Sequence, residues 1–586
     1  MAKGRTGEGQ WVGRSGGVPL AGERSMSRWT RVPAEAWLAC ALLLTSGNAR
    51  AAPPASASIW VAPASEKILP AAPARASAAA AIAAARNEFE AFQVVITGSA
   101  RKVRATASPL VGPGGVTIAA PRLYREALLN LTRPSAPDGA TGRFPDALVP
   151  DVDDVAGERR NAFPFDIRGS ESRALWVEVF VPPGAAPGSY RGEVRVEHSG
   201  RTSIVPVELT VWDFELPSTA TLRSAFGLAW GALPSGHGIS SSDLAAFATL
   251  RARYGQLALD HRVSLSHHDD GMWNDLEHFD RYYGPLMDGT AATRLPGARL
   301  TAVEYLGPLA DVANLARWAQ RYRSRPGWFE RLFQYTCDEP PYQGCGWGDI
   351  ALRASAAKKA DPEFRTLVTT TIQEAEANGA TGLLDLVVPV VNFIDDKSGG
   401  YAGDQRPKYD AFLAAEPQNE VWLYQSCMSH GCGGSSAYGT GWPSYMVDAS
   451  AVRNRAMQWL AFKYRATGEL YWDTTYAYLS GDPWASVWEF DGNGDGTLFY
   501  PGTPAKIGGT THVPVASIRL KMIREGMEDH EYLVLLAALG DRGLAAQLVD
   551  ELFPAASVSD PGVARLMAAR ERLARRILEL RGKPLP

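Results

Sequence analysis

The pattern of apolar and polar residues along the chain changes at Pro217. Before it, short runs of β-branched and aromatic residues, such as "FEAFQVVITG" and "ALWVEVFVP", are separated by turns rich in glycine and proline. The stretch "GSYRGEVRVEHSGRTSIVPVELTVWDFELP" predicts two strands joined by a hairpin at Ser199 and Gly200. Short strands of this kind predict a β-sandwich domain over residues 52–217.

After Pro217, strand-like apolar runs alternate with segments of helical periodicity. Eight such runs occur, at residues 222–230, 262–268, 299–307, 331–337, 365–372, 384–394, 420–427 and 469–478. Eight strands alternating with helices over about 260 residues are typical of a (β/α)8 barrel. We predict this barrel over residues 218–513 and a helical segment over 514–586 that packs against it or caps it.

Two adjacent carboxylates, Asp338 and Glu339, follow the fourth run in "YTCDEPP". The prolines remove two backbone donors and favour an extended conformation at Glu339, so they predict that the strand ends there. In a barrel of this type the carboxyl ends of the strands surround the active site. An isolated motif of this kind favours a solvated turn, but its place at the end of the fourth strand, flanked by aromatic residues, makes Asp338 and Glu339 candidate catalytic residues.

The spacing of this pair limits the reactions that it can serve. Most glycosidases place two carboxyl groups about 5 to 9.5 Å apart on opposite sides of the bond that breaks. Neighbouring residues cannot easily straddle a glycosidic bond in that way. One of them can instead protonate the leaving oxygen, while the other holds a 2-acetamido group whose carbonyl oxygen attacks the anomeric carbon.

Polar and aromatic side chains near the ends of the later strands are candidates for substrate binding. An asparagine can hydrogen-bond a hydroxyl or amide group of the substrate, and aromatic rings can stack on sugar rings. For each candidate the alternative is packing in the core. The candidates are Asn392, Trp422, Tyr424, Trp472 and Tyr476, of which Trp422 and Tyr424 share one face of their strand by alternation.

No metal or other cofactor is predicted. The sequence "DGNGDG" at 491–496 resembles the first half of a calcium-binding loop, but Gly502 stands where that loop needs a bidentate glutamate. The segment "HHDD" at 267–270 contains residues that can bind metals, and a solvated loop is the preferred interpretation.

The first 51 residues are interpreted as an amino-terminal extension and a secretory signal peptide. Positive charges at Arg28 and Arg31 precede an apolar run at 36–44 and a small-residue site at 49–51. We therefore expect a protein exported to the periplasm or the extracellular space, with no later segment able to span a membrane.

Four cysteines follow this segment: Cys337, Cys345, Cys427 and Cys432. An even number in an exported protein predicts disulfides, and the spacings favour the local pairs Cys337–Cys345 and Cys427–Cys432. The alternatives are free buried thiols or a metal site in "CMSHGC", for which a fourth ligand is not apparent.

The net charge and the aromatic content indicate which class of molecule the protein binds. The formal net charge of −4 provides no basic surface for nucleic acid. The 17 Trp and 20 Tyr suit stacking on sugar rings, and they equally suit a large β-rich core. We expect a carbohydrate partner and no nucleic acid.

Several motifs occur in an order that is typical of a known family: "RNEFEAFQVVI", "GRFPDALVP", "PPGAAPGSYRGEV", "YTCDEP", "NGDGTLFYPG" and "SIRLKMIREGMEDHEYLVLL". With them the chain resembles bacterial proteins that carry domain of unknown function 4091, a domain similar to the catalytic domain of glycoside hydrolase family 123. The resemblance extends over residues 60–540. It implies an amino-terminal β-sandwich, a (β/α)8 barrel and β-N-acetylgalactosaminidase chemistry of the substrate-assisted, retaining kind.

The resemblance also implies roles for the carboxylate pair. Asp338 would orient and polarise the acetamido group, and Glu339 would act as the acid and then as the base. The leading hypothesis is an exported glycoside hydrolase acting on 2-acetamido-2-deoxy-β-sugars. The alternatives are a non-catalytic carbohydrate-binding or cell-surface assembly protein on the same scaffold, and hydrolysis of sugars without an acetamido group by a nucleophile not apparent in the sequence.

Overall fold

The computed structural model describes residues 57–431 and 437–585. The predicted extension and signal peptide at 1–51 lie outside this part of the chain. Within the described residues, no helix is both long enough and apolar enough to cross a bilayer.

The amino-terminal region is rich in β-sheet. Its strands are β1 (Ser58–Pro63), β2 (Ala80–Arg86), β3 (Glu88–Thr97), β4 (Ala100–Ala107), β5 (Leu110–Val111), β6 (Thr117–Ile118), β7 (Arg122–Leu131), β8 (Gly142–Pro150), β9 (Phe165–Ile167), β10 (Ser172–Val181), β11 (Gly188–His198) and β12 (Arg201–Glu215). One sheet has the order β1-β3-β10-β7-β8, and the other has the order β2-β12-β11-β4-β9 with β5 and β6 beside it. All the pairings are antiparallel except that of β12 with β2.

The two sheets contribute to one hydrophobic cluster. It contains Phe92 and Val94 from β3 together with Val194 from β11 and Val207 from β12. The predicted hairpin is present, and Ser199 and Gly200 form its turn with φ of 50° and 75°. The structure thus confirms a sheet-rich region, while the sandwich class and the boundary at residue 217 stay predictions.

The next strands form a parallel sheet that closes almost completely into a barrel. They are β13 (Arg223–Phe226), β14 (Val303–Glu304), β15 (Leu332–Cys337), β16 (Arg365–Val368), β17 (Leu386–Val387), β20 (Glu420–Tyr424) and β21 (Gly468–Tyr471), with the short hairpin of β18 (Asp395–Asp396) and β19 (Gly403–Asp404) between β17 and β20. The order around the sheet is β13-β21-β20-β17-β16-β15-β14. The predicted (β/α)8 barrel is therefore confirmed only as a nearly closed barrel of seven parallel strands.

The missing member is the second predicted strand, residues 262–268. This segment lies between β13 and β14, where Leu265 makes a single parallel bridge to Phe226. Backbone bonds still join it to both neighbours, because the Phe226 amide donates to the Ser264 carbonyl at 2.9 Å and the Glu304 amide donates to the Ser266 carbonyl at 3.0 Å. Hydroxyl contacts interrupt this pairing: Ser224 Oγ accepts from the Ser264 amide at 2.8 Å, and Ser264 Oγ accepts from the Thr301 amide at 2.7 Å. Side-chain bonds of this kind compete with regular strand pairing.

The sixth predicted strand, 384–394, is also shorter than expected. Leu386 and Val387 form β17, Val390 adds a single bridge to Tyr424, and Asn392 lies in the one-turn helix that follows at Val391–Ile394. Pro389 lies between the two elements and has no amide hydrogen for a ladder bond. Asn392 therefore belongs to the loop region beyond the strand.

Helices connect and cover the barrel strands. They are α1 (Ala232–His237), α2 (Leu244–Leu259), α3 (Leu276–Tyr282), α4 (Gly284–Asp288), α5 (Val312–Arg323), α6 (Trp347–Ala360), α7 (Ile372–Ala377), α8 (Val391–Ile394), α9 (Asp410–Ala415), α10 (Met457–Lys463), α11 (Ala477–Ser480), α12 (Pro504–Ile507), α13 (Ile518–Ala538), α14 (Arg542–Leu552) and α15 (Val563–Leu580). The last strands, β22 (Trp488–Glu489), β23 (Gly492–Asn493), β24 (Phe499–Gly502) and β25 (Val513–Ala516), form two hairpins.

Helix α13 connects the sheet-rich region to the barrel. Its charged side chains are buried and paired on both sides: Arg519 with Asp146 of β8, and Glu528 with Arg262 from the barrel. Ile518 and Met522 of this helix pack with residues of the first sheet. The predicted helical tail therefore packs against both parts of the molecule.

Candidate active site

Asp338 and Glu339 lie at the carboxyl end of β15, at the end of the barrel where such chemistry is expected. Asp338 is exposed and Glu339 is half-buried. The extended conformation predicted for Glu339 is wrong, because its φ is 39°. Two hydrogen bonds hold this turn: the Glu339 amide donates to Thr369 Oγ1 at 2.8 Å, and the Tyr342 amide donates to the Glu339 carbonyl at 2.7 Å.

One oxygen of the Asp338 carboxylate is held by two hydroxyl groups. Oδ1 lies 2.7 Å from the Tyr335 hydroxyl and 2.9 Å from Thr369 Oγ1, and both hydroxyls can donate to it. No described residue hydrogen-bonds Oδ2. The carboxylate is therefore fixed in orientation while one oxygen stays available to a ligand.

The Glu339 carboxylate is held from a different strand. The Tyr424 hydroxyl, at the end of β20, donates to Oε1 at 2.5 Å. Gln343 Nε2 lies 3.4 Å from Oε2. Each carboxylate of the pair thus has its own tyrosine, which gives the two side chains separate directions although they are neighbours in sequence.

Electrostatics keep both tyrosines protonated. Burial raises the pKa of the Tyr335 hydroxyl well above its usual range, and the negative charge of Asp338 raises this pKa further. Burial also raises the pKa of Tyr424, with Glu339 as the next largest cause. Both hydroxyls therefore act as donors, and not as bases, at neutral pH.

A disulfide bond closes the loop that carries the pair. Cys337, the last residue of β15, is bonded to Cys345, with the Cα atoms 5.8 Å apart. Arg353 from α6 donates to the Thr336 carbonyl at 2.9 Å beside it. The local pairing predicted for Cys337 and Cys345 is present; the predicted partner of Cys427, Cys432, lies outside the described residues.

The structure separates the predicted substrate-binding residues into different groups. Tyr424 contacts Glu339 directly. Trp422 is 1% exposed in the barrel interior and its indole N–H donates to Glu420, so it packs the core, and the prediction that it binds substrate is corrected. Asn392 is fully buried, and neither atom of its amide group has a hydrogen-bond partner among the described residues.

The remaining predicted residues, Trp472 and Tyr476, are half-buried and follow β21. Their ring centroids are 4.8 Å apart, and the Trp472 indole N–H donates to Asp495 at 2.9 Å. Sequence reasoning missed Tyr335 and Thr369. Tyr335 lies on β15 and Thr369 directly follows β16, so both positions near strand ends can be read from the sequence, whereas their contact with Asp338 cannot.

The segments considered for metal binding are occupied by protein contacts. Asp495 accepts hydrogen bonds from Trp472 and from Tyr471. The His268 ring stacks on Tyr283 at 4.6 Å, and Tyr283 in turn donates to Asp270 at 2.6 Å. Within residues 57–431 and 437–585, no three His, Cys, Asp or Glu side chains form a metal-binding group.

A family model described as the catalytic domain of glycoside hydrolase 123 matches residues 349–536, a segment that begins shortly after the Asp338–Glu339 pair. No curated protein sequence matches the chain.

Among solved structures, a family 123 glycoside hydrolase from Clostridium perfringens aligns with a TM-score of 0.64 and 13% identity, covering 90% of this chain and 98% of that one. β-Glucuronidases from Parabacteroides merdae and Bacteroides uniformis align with TM-scores of 0.20 and 0.23 at 10% and 11% identity, covering 72% and 71% of this chain and 47% of each of those chains. The glucuronidase scores are too low to bear on the fold. The family 123 match in sequence and the shared fold together identify the chain as a glycoside hydrolase that resembles family 123.

Proposed function

We propose that the protein is an exported glycoside hydrolase that cleaves 2-acetamido-2-deoxy-β-sugars by substrate-assisted, retaining hydrolysis, as a β-N-acetylgalactosaminidase does. The observation that carries this proposal is the arrangement of the pair: two adjacent carboxylates at a strand end, each held by a separate tyrosine. The likeness to the Clostridium perfringens enzyme, which is described as hydrolysing glycolipid glycans, supports a glycan substrate.

In the first step the substrate supplies its own nucleophile. The free oxygen of Asp338 accepts a hydrogen bond from the acetamido N–H, which makes the acetamido carbonyl oxygen a better nucleophile. This oxygen bonds to the anomeric carbon as the glycosidic C–O bond breaks, and Glu339 gives its proton to the departing oxygen. The product is a bicyclic oxazolinium ion paired with the Asp338 carboxylate.

In the second step Glu339 acts as the base. It takes a proton from a water molecule whose oxygen bonds to the anomeric carbon, and the bond from this carbon to the acetamido oxygen breaks. Two displacements at the same carbon return its original configuration, so the released sugar keeps the β configuration.

The surrounding hydroxyls explain how neighbouring residues serve two roles. Tyr335 and Thr369 bond only one oxygen of Asp338, so the other oxygen is directed to the acetamido group. Tyr424 holds Glu339 through Oε1, whereas Oε2 has only a long contact of 3.4 Å with Gln343 Nε2 among the described residues and serves the proton transfers. A barrel of the (β/α)8 type provides this geometry at the carboxyl ends of its strands.

The export part of the proposal is supported by two observations. The apolar run at 36–44 has the layout of a signal peptide. The Cys337–Cys345 disulfide is of the kind that persists in oxidising compartments such as the periplasm or the extracellular space.

A panel of aryl β-glycosides tests the chemistry. We expect turnover of 2-acetamido-2-deoxy-galactosides, with the β-anomer of the sugar appearing first by NMR. The matched 2-hydroxy galactoside should show almost no turnover, because it has no internal nucleophile. Equal cleavage of the two substrates, or initial release of the α-anomer, would contradict the proposal.

A further inference from the structure

An aromatic cluster lies at the same end of the barrel as the carboxylate pair. Phe490 packs against Trp472 and Tyr476, with ring centroids 5.0 and 5.4 Å away. Trp472 and Tyr476 are half-buried, whereas Phe490 is 51% exposed. We call these three residues the aromatic shelf; its outermost ring belongs to Phe490.

Phe490 occupies a backbone position that is unfavourable for its residue type. Phe490 and Asp491 form the two-residue turn between β22 and β23, with φ of 45° and 60°. Turns of this type favour Asn and Gly at both positions, because a positive φ brings a bulky side chain too close to the backbone. The contacts with Trp472 and Tyr476 leave about half of the Phe490 side chain exposed, and strained residues of this kind concentrate at ligand sites.

Polar contacts hold the hairpin in place. His430, from the loop after β20, lies with Nε2 3.1 Å from the Phe490 carbonyl oxygen. The Trp472 indole N–H is bonded to Asp495, so the polar edge of this ring is already satisfied. The shelf is thereby attached to the loops that follow both β20 and β21.

The strand register places the shelf beside the carboxylates. β20 and β21 are neighbours, with Tyr424 opposite Leu470, and Trp472 follows two residues after Leu470. Tyr424 is the residue that bonds Glu339. Since neighbouring strands lie about 4.8 Å apart, the shelf starts beside the end of β20, whose Tyr424 reaches Glu339.

We propose that the aromatic shelf binds the second sugar ring of the substrate, on the leaving-group side of the bond that Glu339 protonates. The proposal rests on the proposed function, which places the acetamido sugar at Asp338 and Glu339. A phenylalanine ring has no polar atom, so it recognises a pyranose through the flat face of C–H groups. The enzyme should therefore prefer an oligosaccharide over the glycoside of a single sugar.

The substitution Phe490→Asn distinguishes a role of the ring in substrate binding from a role in forming the hairpin. Asparagine suits the left-handed turn better than phenylalanine, so the hairpin is kept while the ring is lost. The conservative variant is Phe490→Trp, which keeps an aromatic face. The matched control is Val111→Asn, which removes an equally exposed (51%) apolar side chain from the amino-terminal region.

Two probes report on the two positions. The first probe, the methyl β-glycoside of 2-acetamido-2-deoxygalactose, contacts only the carboxylate pair. The second probe is a disaccharide in which the same sugar is β-linked to a methyl hexopyranoside, and this second ring also reaches the shelf. For Phe490→Asn we expect kcat/KM on the disaccharide to fall about 3- to 10-fold, through KM, with no change on the monosaccharide glycoside and no loss in Tm. Phe490→Trp should retain the preference, and Val111→Asn should behave as wild type.

The outcomes distinguish this inference from the proposed function. If the wild type cleaves neither probe, the proposed function fails, and calorimetric binding of the disaccharide to wild type and to Phe490→Asn then tests the shelf alone. The proposal that the shelf binds the second sugar is overturned if Phe490→Asn keeps the wild-type preference for the disaccharide, or the wild-type affinity for it. An equal loss of activity on both probes also overturns it.

Discussion

The Tyr424 hydroxyl donates a hydrogen bond to Glu339 across 2.5 Å and so joins the ends of β20 and β15. Tyr424→Phe removes this bond without changing the ring. Because hydrogen bonds to charged groups contribute about 1.5–3 kcal/mol, we expect kcat to fall about 10- to 100-fold with little change in KM. Steady-state kinetics check this, with Tyr190→Phe, whose hydroxyl bonds Ala186 in the amino-terminal region, as the control. An equal loss of kcat in both variants would show that Tyr424 has no special role in catalysis.

The two carboxylates should respond differently to the leaving group. Glu339→Gln removes the acid, so turnover should fall about 10²- to 10⁴-fold on substrates with poor leaving groups and less on activated aryl glycosides. Asp338→Asn should impair both kinds of substrate, because it weakens the internal nucleophile. Added azide should not rescue Asp338→Asn as a glycosyl azide of inverted configuration; such a product would instead assign Asp338 as the direct nucleophile.

The disulfide should matter for activity because it closes the loop that carries the pair. Replacing both Cys337 and Cys345 by Ala frees the loop between them, and its short length predicts a loss of stability of about 2 kcal/mol. We expect kcat to fall while the rest of the fold is kept, as judged by circular dichroism. Reduction of the wild-type enzyme should reproduce the loss, and full activity after verified reduction would show that the loop is ordered without the bond.

Removing one partner of the buried Asp146–Arg519 pair should destabilise the whole molecule. Asp146 accepts from Arg519 Nη2 at 2.8 Å, and neither side chain is exposed. Asp146→Ala leaves a buried charge uncompensated, which costs about 3–5 kcal/mol in the free energy of unfolding. The exposed pair Arg191–Glu208 supplies the control, since solvent screens its charges and Glu208→Ala should change stability far less than Asp146→Ala. Denaturant titration of both variants makes the comparison.

Glu126 predicts a pH dependence of stability. Burial raises its pKa to about 8, and its carboxylate oxygens have no hydrogen-bond partner among the described residues. The folded state therefore binds a proton at Glu126 that the unfolded state releases above about pH 4.5. The contribution of Glu126 to the free energy of unfolding thus falls as the pH rises toward 8. Glu126→Gln should flatten the curve and stabilise the protein by about 2–4 kcal/mol at pH 7.

Urea unfolding at pH 5 and at pH 8 measures this dependence. The exposed Glu197 offers a control, since Glu197→Gln should leave the pH dependence as it is in the wild type. A wild-type curve that Glu126→Gln does not change would show that Glu126 is ionised in the folded protein.

About half of the site could be located from the sequence. Asp338 and Glu339 were marked by two prolines directly after an apolar run, and Tyr424 by its place at the end of another. The Tyr335 and Thr369 hydroxyls could not be located in this way. Both contact Asp338 only because β15 pairs with β16, whose residues are about 30 positions apart in the sequence. Such a meeting has no local signature.

Local sequence patterns account for the features that depend on neighbouring residues. Alternation and turn residues predict the strands of the first region and the hairpin at Ser199 and Gly200, and prolines predict the end of β15. The short spacing of Cys337 and Cys345 predicts their local pairing. These features need only the periodicity and the backbone preferences of a few consecutive residues.

The tertiary structure alone decided the features that depend on distant partners. It placed Trp422 in the core and Tyr424 on Glu339, although both lie on one face of β20. It interrupted the second barrel strand with hydroxyl contacts around Ser264, and it holds Glu339 at a positive φ with a bond from its amide to Thr369, which follows β16. Each outcome results from competition between contacts that form only when strands far apart in the sequence come together, so local patterns cannot predict it.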